Sequence, residues 1–337
     1  MKSLIQKLVE ATGPSGYESQ VRELIRTEIE AYADDIQTDK LGNLIVRKGT
    51  HQADGLKIML SAHMDEIGLI VTHIDENGFL RFTNLGGVRG YNHIGGRVRF
   101  LNGTSGVIGM ERMSDRSRMP ALDNLYIDVG AASPKDCPVK VGDVAAFERP
   151  FMVLSNQQGR ERLVSKAMDD RISVAILIEA LRRLGKTPHE LYFVFSVQEE
   201  VGVRGATTAA YGVDPDLGLA VDVTLTGDTP KALKMEVALG NGPAIKVRDS
   251  GMLADPRVVD WMVTTAEQAK IPYQMEILVG GSTDARAIQL SRAGVPAGCL
   301  SIPCRYVHSP SEMVDLQDVE NAVKLLLELI SKPVKLG

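Results

Sequence analysis

Apolar residues recur along this chain in two rhythms, and the rhythm changes twice. Near the N-terminus the spacing is helical: Leu4, Ile5, Leu8 and Val9 stand among charged residues, and after a break at Gly13-Pro14-Ser15-Gly16 the same spacing resumes with Val21, Leu24, Ile25 and Ile29. Ser15 and Glu18 form a capping-box pattern at that second start. Two strand-like runs follow, Leu44-Ile45-Val46 and Lys57-Ile58-Met59-Leu60-Ser61-Ala62, the second leading into His63-Met64-Asp65. From about Ile67 to about Ser155 the helical rhythm is replaced by short alternating runs. Ile67 to Asp75 and Phe79 to Phe82, joined by Asn77-Gly78, read as one hairpin; Arg97 to Leu101 and Gly106 to Met110, joined by Asn102-Gly103, read as another. Leu125 to Val129 and Val144 to Leu154 add strands. Helical spacing returns at Asp170, with Val174, Leu177, Ile178, Leu181 and Leu184 on one stripe. A last helix begins near Asp315, a predicted N-cap, and carries Val319, Val323, Leu326, Leu327 and Ile330.

The pattern predicts an α/β fold: a mixed sheet with helices on both faces, formed by residues 1–66 and 160–337, and an inserted all-β domain formed by residues 67–159. At 337 residues the chain is long enough for two cores. Leu191-Tyr192-Phe193-Val194-Phe195-Ser196-Val197 is continuous, β-branched and aromatic, as in a strand buried on both faces.

Composition narrows the function. The net charge is −5 with no Lys/Arg-rich run, so nothing marks a nucleic-acid partner. Charge interrupts the first helix every few residues, which makes it amphipathic and unlike a signal peptide, and no later run has the length to span a bilayer. A cytoplasmic protein without membrane attachment is expected. Cys137, Cys299 and Cys304 are odd in number and lack a Cys-x-x-Cys pair, against a disulfide framework or a thiolate zinc site; Cys299 and Cys304 read as reduced and buried.

The chemistry lies at strand ends. Glu199 and Glu200 follow the apolar run ending at Val197; alone, such a pair reads as a solvated strand end. Its companions change that reading. His63 and Asp65 follow the strand ending at Ala62, Asp222 closes Leu217-Gly218-Leu219-Ala220-Val221, His308 follows Ala297 to Ile302, and Asp169-Asp170-Arg171 precedes the Val174 helix. Open α/β sheets bind ligands beyond the carboxyl ends of their strands, so one rim would gather these groups. Histidine with carboxylate and no thiolate suits zinc, cobalt or manganese in a catalytic role. His63, Asp169, Glu200, Asp222 and His308 are too few to close two separate four-coordinate shells, so two ions would require a bridging carboxylate. Asp169 and Asp170 cannot be told apart for that role by spacing. Asp65 is placed to accept the second ring N–H of His63, and Glu199 is left free to move a proton.

On these residues the chain resembles the tetrahedral, or glutamyl and deblocking, aminopeptidases among the co-catalytic metallopeptidases. The matching pieces are Ser61-Ala62-His63-Met64-Asp65-Glu66-Ile67-Gly68, Lys166-Ala167-Met168-Asp169-Asp170-Arg171, Gln198-Glu199-Glu200-Val201-Gly202-Val203-Arg204-Gly205-Ala206, Val221-Asp222-Val223, Gly281-Ser282-Thr283-Asp284-Ala285 and Tyr306-Val307-His308-Ser309-Pro310. Their order and the inserted β domain match over nearly the whole chain. The resemblance implies one ion on His63 and Asp222, a second on Glu200 and His308, Asp169 bridging them, and Glu199 as general base. It also implies hydrolysis of N-terminal residues from short peptides, zinc or cobalt as the two ions, a β domain that mediates dimerisation, and six dimers closing into a dodecameric tetrahedron. Ser282 departs from the family's usual Gly-Gly-Thr-Asp-Ala and leaves the local substrate contact open. Thr283 and Asp284 are the candidate substrate contacts, although Asp284 also reads as a helix cap. Asp170 reads as a cap or a partner of Arg171. His51, His73, His93 and His189 read as structural or surface residues, and Gly86-Gly87-Val88-Arg89-Gly90 and Gly95-Gly96 as turns of the β insert. A dinuclear carboxypeptidase or deacylase is the alternative within the same chemistry. A glycosidase using Glu199 and Glu200, or an inactive scaffold, fits less well, because neighbours on one strand end are poorly placed to flank a sugar bond.

Overall fold

The computed structural model describes every residue except Arg116, Asn156, Gln158 and Gly337. Its main sheet contains β1 (Asp35–Thr38), β2 (Leu44–Lys48), β3 (Lys57–His63), β10 (Met152–Ser155), β11 (Glu161–Ser165), β12 (Glu190–Ser196), β13 (Leu217–Thr224), β16 (Ala297–Arg305) and β17 (Glu312–Asp315). They are hydrogen-bonded in the order β1-β2-β12-β3-β13-β16-β17-β11-β10; β14 (Ala244–Arg248) joins through β16, and β15 (Gln274–Ile277) through β14. The four central strands, β12, β3, β13 and β16, run parallel.

Both faces of this centre are buried, for a reason visible in its residues. Leu44, Val46, Ile58, Leu60, Leu191, Phe193 and Phe195 enter one core, while Ile45, Met59 and Val194, the residues between them, enter another. The first core is covered by α1 (Lys2–Glu10), α2 (Ser19–Ile29), α3 (Met168–Arg183), α5 (Pro256–Ala269) and α7 (Leu316–Ile330); the second by α4 (Arg204–Val213) and α6 (Asp284–Gln289). Successive side chains of a strand point to opposite sides, so a continuous apolar run requires helices on both. Cys299 and Cys304 are buried and unbridged in the first core.

The remaining strands close on themselves. β4 (Gly68–Ile74), β5 (Leu80–Leu85), β6 (Arg97–Phe100), β7 (Ser105–Met110), β8 (Leu125–Asp128) and β9 (Val144–Glu148) form a barrel in the order β4-β5-β8-β7-β6-β9, with β9 returning to β4. Alternate residues fill it: Leu69 and Val71, Leu80 and Phe82, Val98 and Phe100, Leu125 and Ile127. Both Asn-Gly hairpins form, with Gly78 and Gly103 at positive φ.

The structure differs from the sequence pattern in two places. β10 falls within residues 67–159, yet it pairs with β11 at the edge of the main sheet; an apolar run specifies a strand but not its partner. The Ser15–Glu18 capping box does not form. Ser15 Oγ instead donates to Asp65 Oδ2 at 2.6 Å, and Glu18 Oε1 accepts from the Gly16 and Gln198 backbone. α2 begins at Ser19 with Glu18 in the N-cap position, so Ser15 lies outside the helix start and its hydroxyl donates to the buried Asp65 carboxylate in a charge-assisted bond. The expected cap of α7 does form, with Asp315 accepting from Gln317 N–H.

Candidate metal centre

The parallel strands deliver their polar ends to one rim. Ser196 pairs with His63 across β12 and β3, and Asp222 with Ser301 across β13 and β16, so the carboxyl ends are level. α3 starts beside them with non-helical backbone at Asp169 and Asp170, whose shared peptide bond is cis.

Two histidines face one carboxylate. His63 Nε2 lies 3.0 Å from Asp169 Oδ1, and His308 Nε2 lies 3.3 Å from Asp169 Oδ2 and 3.0 Å from Glu200 Oε1. Glu199 Oε2 stands 4.0 Å from His63 Nε2. His63, Asp169 and Glu200 bring ligand atoms within 4.8 Å of one another, and so do His63, Asp170 and Asp222. Asp169 touches both imidazoles, whereas Asp170 Oδ2 accepts from the His63 backbone N–H and its buried Oδ1 makes no well-formed hydrogen bond among the described residues.

Supports surround these groups. His63 Nδ1 faces Asp65, 3.2 Å from its carbonyl and 3.4 Å from Oδ1, while the Asp65 carboxylate accepts from the Glu199 and Glu200 backbone at 3.0 and 3.3 Å. Glu312 accepts from the Asp169 and His308 N–H groups at 2.9 and 2.8 Å. Arg171 does not pair with Asp170: fully buried, it donates to the carbonyls of Met64, Leu8, Ala11 and Gly13 and lies 3.6 Å from Glu66, tying the N-terminal segment to the strand end that carries His63. Asp284 Oδ2 accepts from Ser61 and Ser196, each at 2.6 Å, and Thr283 caps α6. Both are buried behind the site; Ser282 and Arg286 line the cavity.

That cavity, about 600 Å³, opens over the carboxylates and is walled by Leu225, Leu233, Leu278, Lys246, Arg286 and Arg89. Lys246 is held by Glu276 at 2.7 Å. Arg89 belongs to the barrel, and the carbonyl of Gly87 in the same turn faces His308 Nδ1 at 3.1 Å. Sequence reading makes Gly86 to Gly90 a turn of the insert; it is one, but it lies against the rim. Sequence reading assigns no site role to Glu312, Arg171 or this turn, because most of the groups they meet lie far away along the chain.

The electrostatics call for cations. Burial pushes Glu199 well above the usual carboxyl range, with Asp222 and Glu200 repelling it and His63 opposing. Burial likewise raises Asp222 and Asp170, and Glu200 to a lesser degree. Asp169 is the exception: burial would raise it, but His308 and His63 hold it low. Burial would lower His308, yet Glu200 and Asp169 drive it up to about 12. Five carboxylates share two imidazoles at this rim, and the burial of Glu199, Glu200, Asp170 and Asp222 disfavours their charged forms. Divalent ions would relieve it, so the donor set fits the group that the sequence implies.

The chain is similar to known proteins over nearly its whole length. A sequence model of the M42 glutamyl aminopeptidase family matches residues 42–325. The lysyl aminopeptidase of Pyrococcus furiosus is 36% identical over 343 residues, covering 98% of this chain and 96% of the relative. Among solved structures, aminopeptidase APDkam598 from the archaeon Desulfurococcus kamchatkensis superimposes with a TM-score of 0.93 at 41% identity, covering 98% of this chain and 94% of that one. The Pyrococcus horikoshii TET1 peptidase, which can assemble into a tetrahedron or a large octahedral shell, gives 0.87 at 32% identity, covering 98% and 99%. The chain therefore belongs to the M42 glutamyl aminopeptidase family and is an aminopeptidase, a hydrolase of peptide bonds.

Proposed function

We propose that the protein removes N-terminal residues from short peptides with two divalent ions per subunit, held by His63, Asp169, Glu200, Asp222 and His308. One observation carries the reading: each oxygen of Asp169 faces a different histidine, as a bridging carboxylate requires. Bound there, the ions would supply Lewis acidity for attack on the scissile carbonyl. Zinc and cobalt both suit the donor set.

The rest falls to the chain's own side chains. Glu199 takes a proton from the attacking water and passes it to the departing amine nitrogen as the C–N bond breaks, so one carboxylate serves as base and then as acid. Burial raises its pKa above the ordinary carboxyl value. Asp65 fixes the His63 ring through Nδ1 and orients the Glu199 backbone. Thr283 and Asp284 support the site from behind by holding α6 and the Ser61 and Ser196 strand ends, and substrate contact falls to the cavity wall at Ser282 and Arg286.

The reading includes dimerisation through the barrel and closure of dimers into a dodecamer. Exposed Leu101, Val107, Met110 and Val141 on the barrel support it, as does the assembly of the Pyrococcus horikoshii relative. It also includes a cytoplasmic setting, in line with the charge-interrupted, amphipathic sequence of α1. Among the described residues no helix is long and apolar enough to cross a membrane.

The test is a panel of aminoacyl chromogenic substrates on chelated protein, with zinc, cobalt or manganese restored. Activity should vanish on chelation and return with metal. Cleavage of an N-acetylated peptide at the rate of the free one would exclude an aminopeptidase and favour a deacylase.

A further inference from the structure

The metal centre is built almost wholly from the main sheet, but one turn reaches it from the barrel. The Gly87 carbonyl accepts the His308 Nδ1–H at 3.1 Å, between residues 221 positions apart. A proton on Nδ1 leaves the lone pair on Nε2, and Nε2 is the atom that faces Asp169 and Glu200. Space is as restricted as orientation. A Cβ on Gly87 would lie 2.4 Å from His308 Nδ1 and 2.6 Å from Cε1, and one on Gly86 would lie 2.9 Å from Glu200 Oε2. Gly86 is at φ +79°, whereas Gly87 is outside the left-handed region, so glycine is needed at 87 for room and not for backbone conformation. The turn is held in place: Asn84 Nδ2 and Val88 N–H both donate to the Gly86 carbonyl, at 2.6 and 3.0 Å, and the buried His93 ring stacks on Phe147 with centroids 3.9 Å apart.

We propose that Gly87 is a positioning residue of the metal centre: its carbonyl selects the His308 tautomer, and its missing side chain leaves the ring its place against Asp169 and Glu200. The barrel is then part of the active centre as well as a surface for assembly. This rests on the reading of His308 as a metal ligand. Hydrogen-bond partners of metal-binding histidines typically change metal affinity or activity by about 10- to 100-fold.

Gly87→Ala tests it against Gly103→Ala, which places a side chain at positive φ in another barrel turn, where nothing lies within 4 Å of the added Cβ. Metal-free protein is titrated with zinc and with cobalt, the cobalt absorption spectrum is recorded, and metal-free thermal unfolding serves as the folding control. Gly87→Ala should lose on the order of tenfold or more in affinity for one ion and shift the cobalt bands, at near-parental metal-free stability. Gly103→Ala should keep parental affinity and spectrum. Parental affinity and spectrum in Gly87→Ala overturn the proposal. If Gly87→Ala does not fold, Asn84→Ala loosens the turn without adding volume; a shifted cobalt spectrum supports the proposal and an unchanged one overturns it. His308→Ala is measured alongside. Retention of both ions there sinks the ligand reading and this inference with it; loss there with none in Gly87→Ala sinks this inference alone.

Discussion

At the scale of residues, adjacent groups of one type have been given unequal surroundings. Glu200 faces His308 at 3.0 Å, while Glu199 stands back, 4.0 Å from His63, with no hydrogen bond to its carboxylate among the described residues. Glu199→Gln should therefore lower kcat by about 10²- to 10⁴-fold while metal content by elemental analysis stays at the parental level. Loss of metal in that variant would make Glu199 a ligand instead. A second prediction concerns His189. Its Nδ1 accepts from Leu56 N–H at 3.0 Å and its Nε2 donates to the Lys332 carbonyl at 2.8 Å, an arrangement that only the neutral ring can make. Burial lowers its pKa below 6.5 in the folded protein. The unfolded chain then binds the proton more readily, so this contribution is present above pH of about 6.5 and is lost as the pH falls below it. Urea midpoints of metal-free protein at pH 7.5 and 5.5 should fall more for the parent than for His189→Gln; equal falls would refute the assignment. Sequence reading makes His189 a structural or surface residue because it lacks an acidic strand-end context, and the partners that fix its tautomer are backbone groups 133 and 143 positions away.

At the scale of elements, the helices are stabilised by their buried faces. α3 is the extreme case, buried on every side from Met168 to Leu181, with Val174, Leu177, Ile178 and Leu181 in the core beside the sheet. Leu177 is fully buried, and Leu177→Ala should cost about 2–5 kcal/mol, read as a lower urea midpoint with an unchanged slope. A loss below about 1 kcal/mol would mean that the site collapses around the gap. Hydrophobic spacing reveals such elements because burial selects the spacing directly. The first turn of α3 carries no such signal, since Asp169 and Asp170 are placed by Glu312 and His63. The Ser15–Glu18 pattern fails for a related reason: its local bonds are weaker than those offered by Asp65 and the Gln198 backbone once the chain has folded.

At the scale of the whole molecule, four of the five carboxylates gathered at one rim are disfavoured in their charged form, Asp169 being the exception, and cations would relieve them. Restoring zinc to chelated protein should raise the thermal midpoint, because an ion bound only by the folded state stabilises it by about 2.7 kcal/mol at a hundred times its dissociation constant. The increase should be largely absent in Asp169→Ala; a full increase there would separate metal binding from this rim. Local chemistry along the chain accounts for the two apolar rhythms, the hairpins with their Asn-Gly turns, the cap of α7, and the histidines and acids at the ends of buried strands. Tertiary structure decided the rest. It decided that Asp169 and not Asp170 meets both histidines, that Arg171 clamps the N-terminal segment, that β10 completes the main sheet, and that a barrel turn lies against His308. The physical reason is distance along the chain. Spacing encodes which face a residue shows, whereas the atom it meets there is set by segments that approach only when both cores are packed.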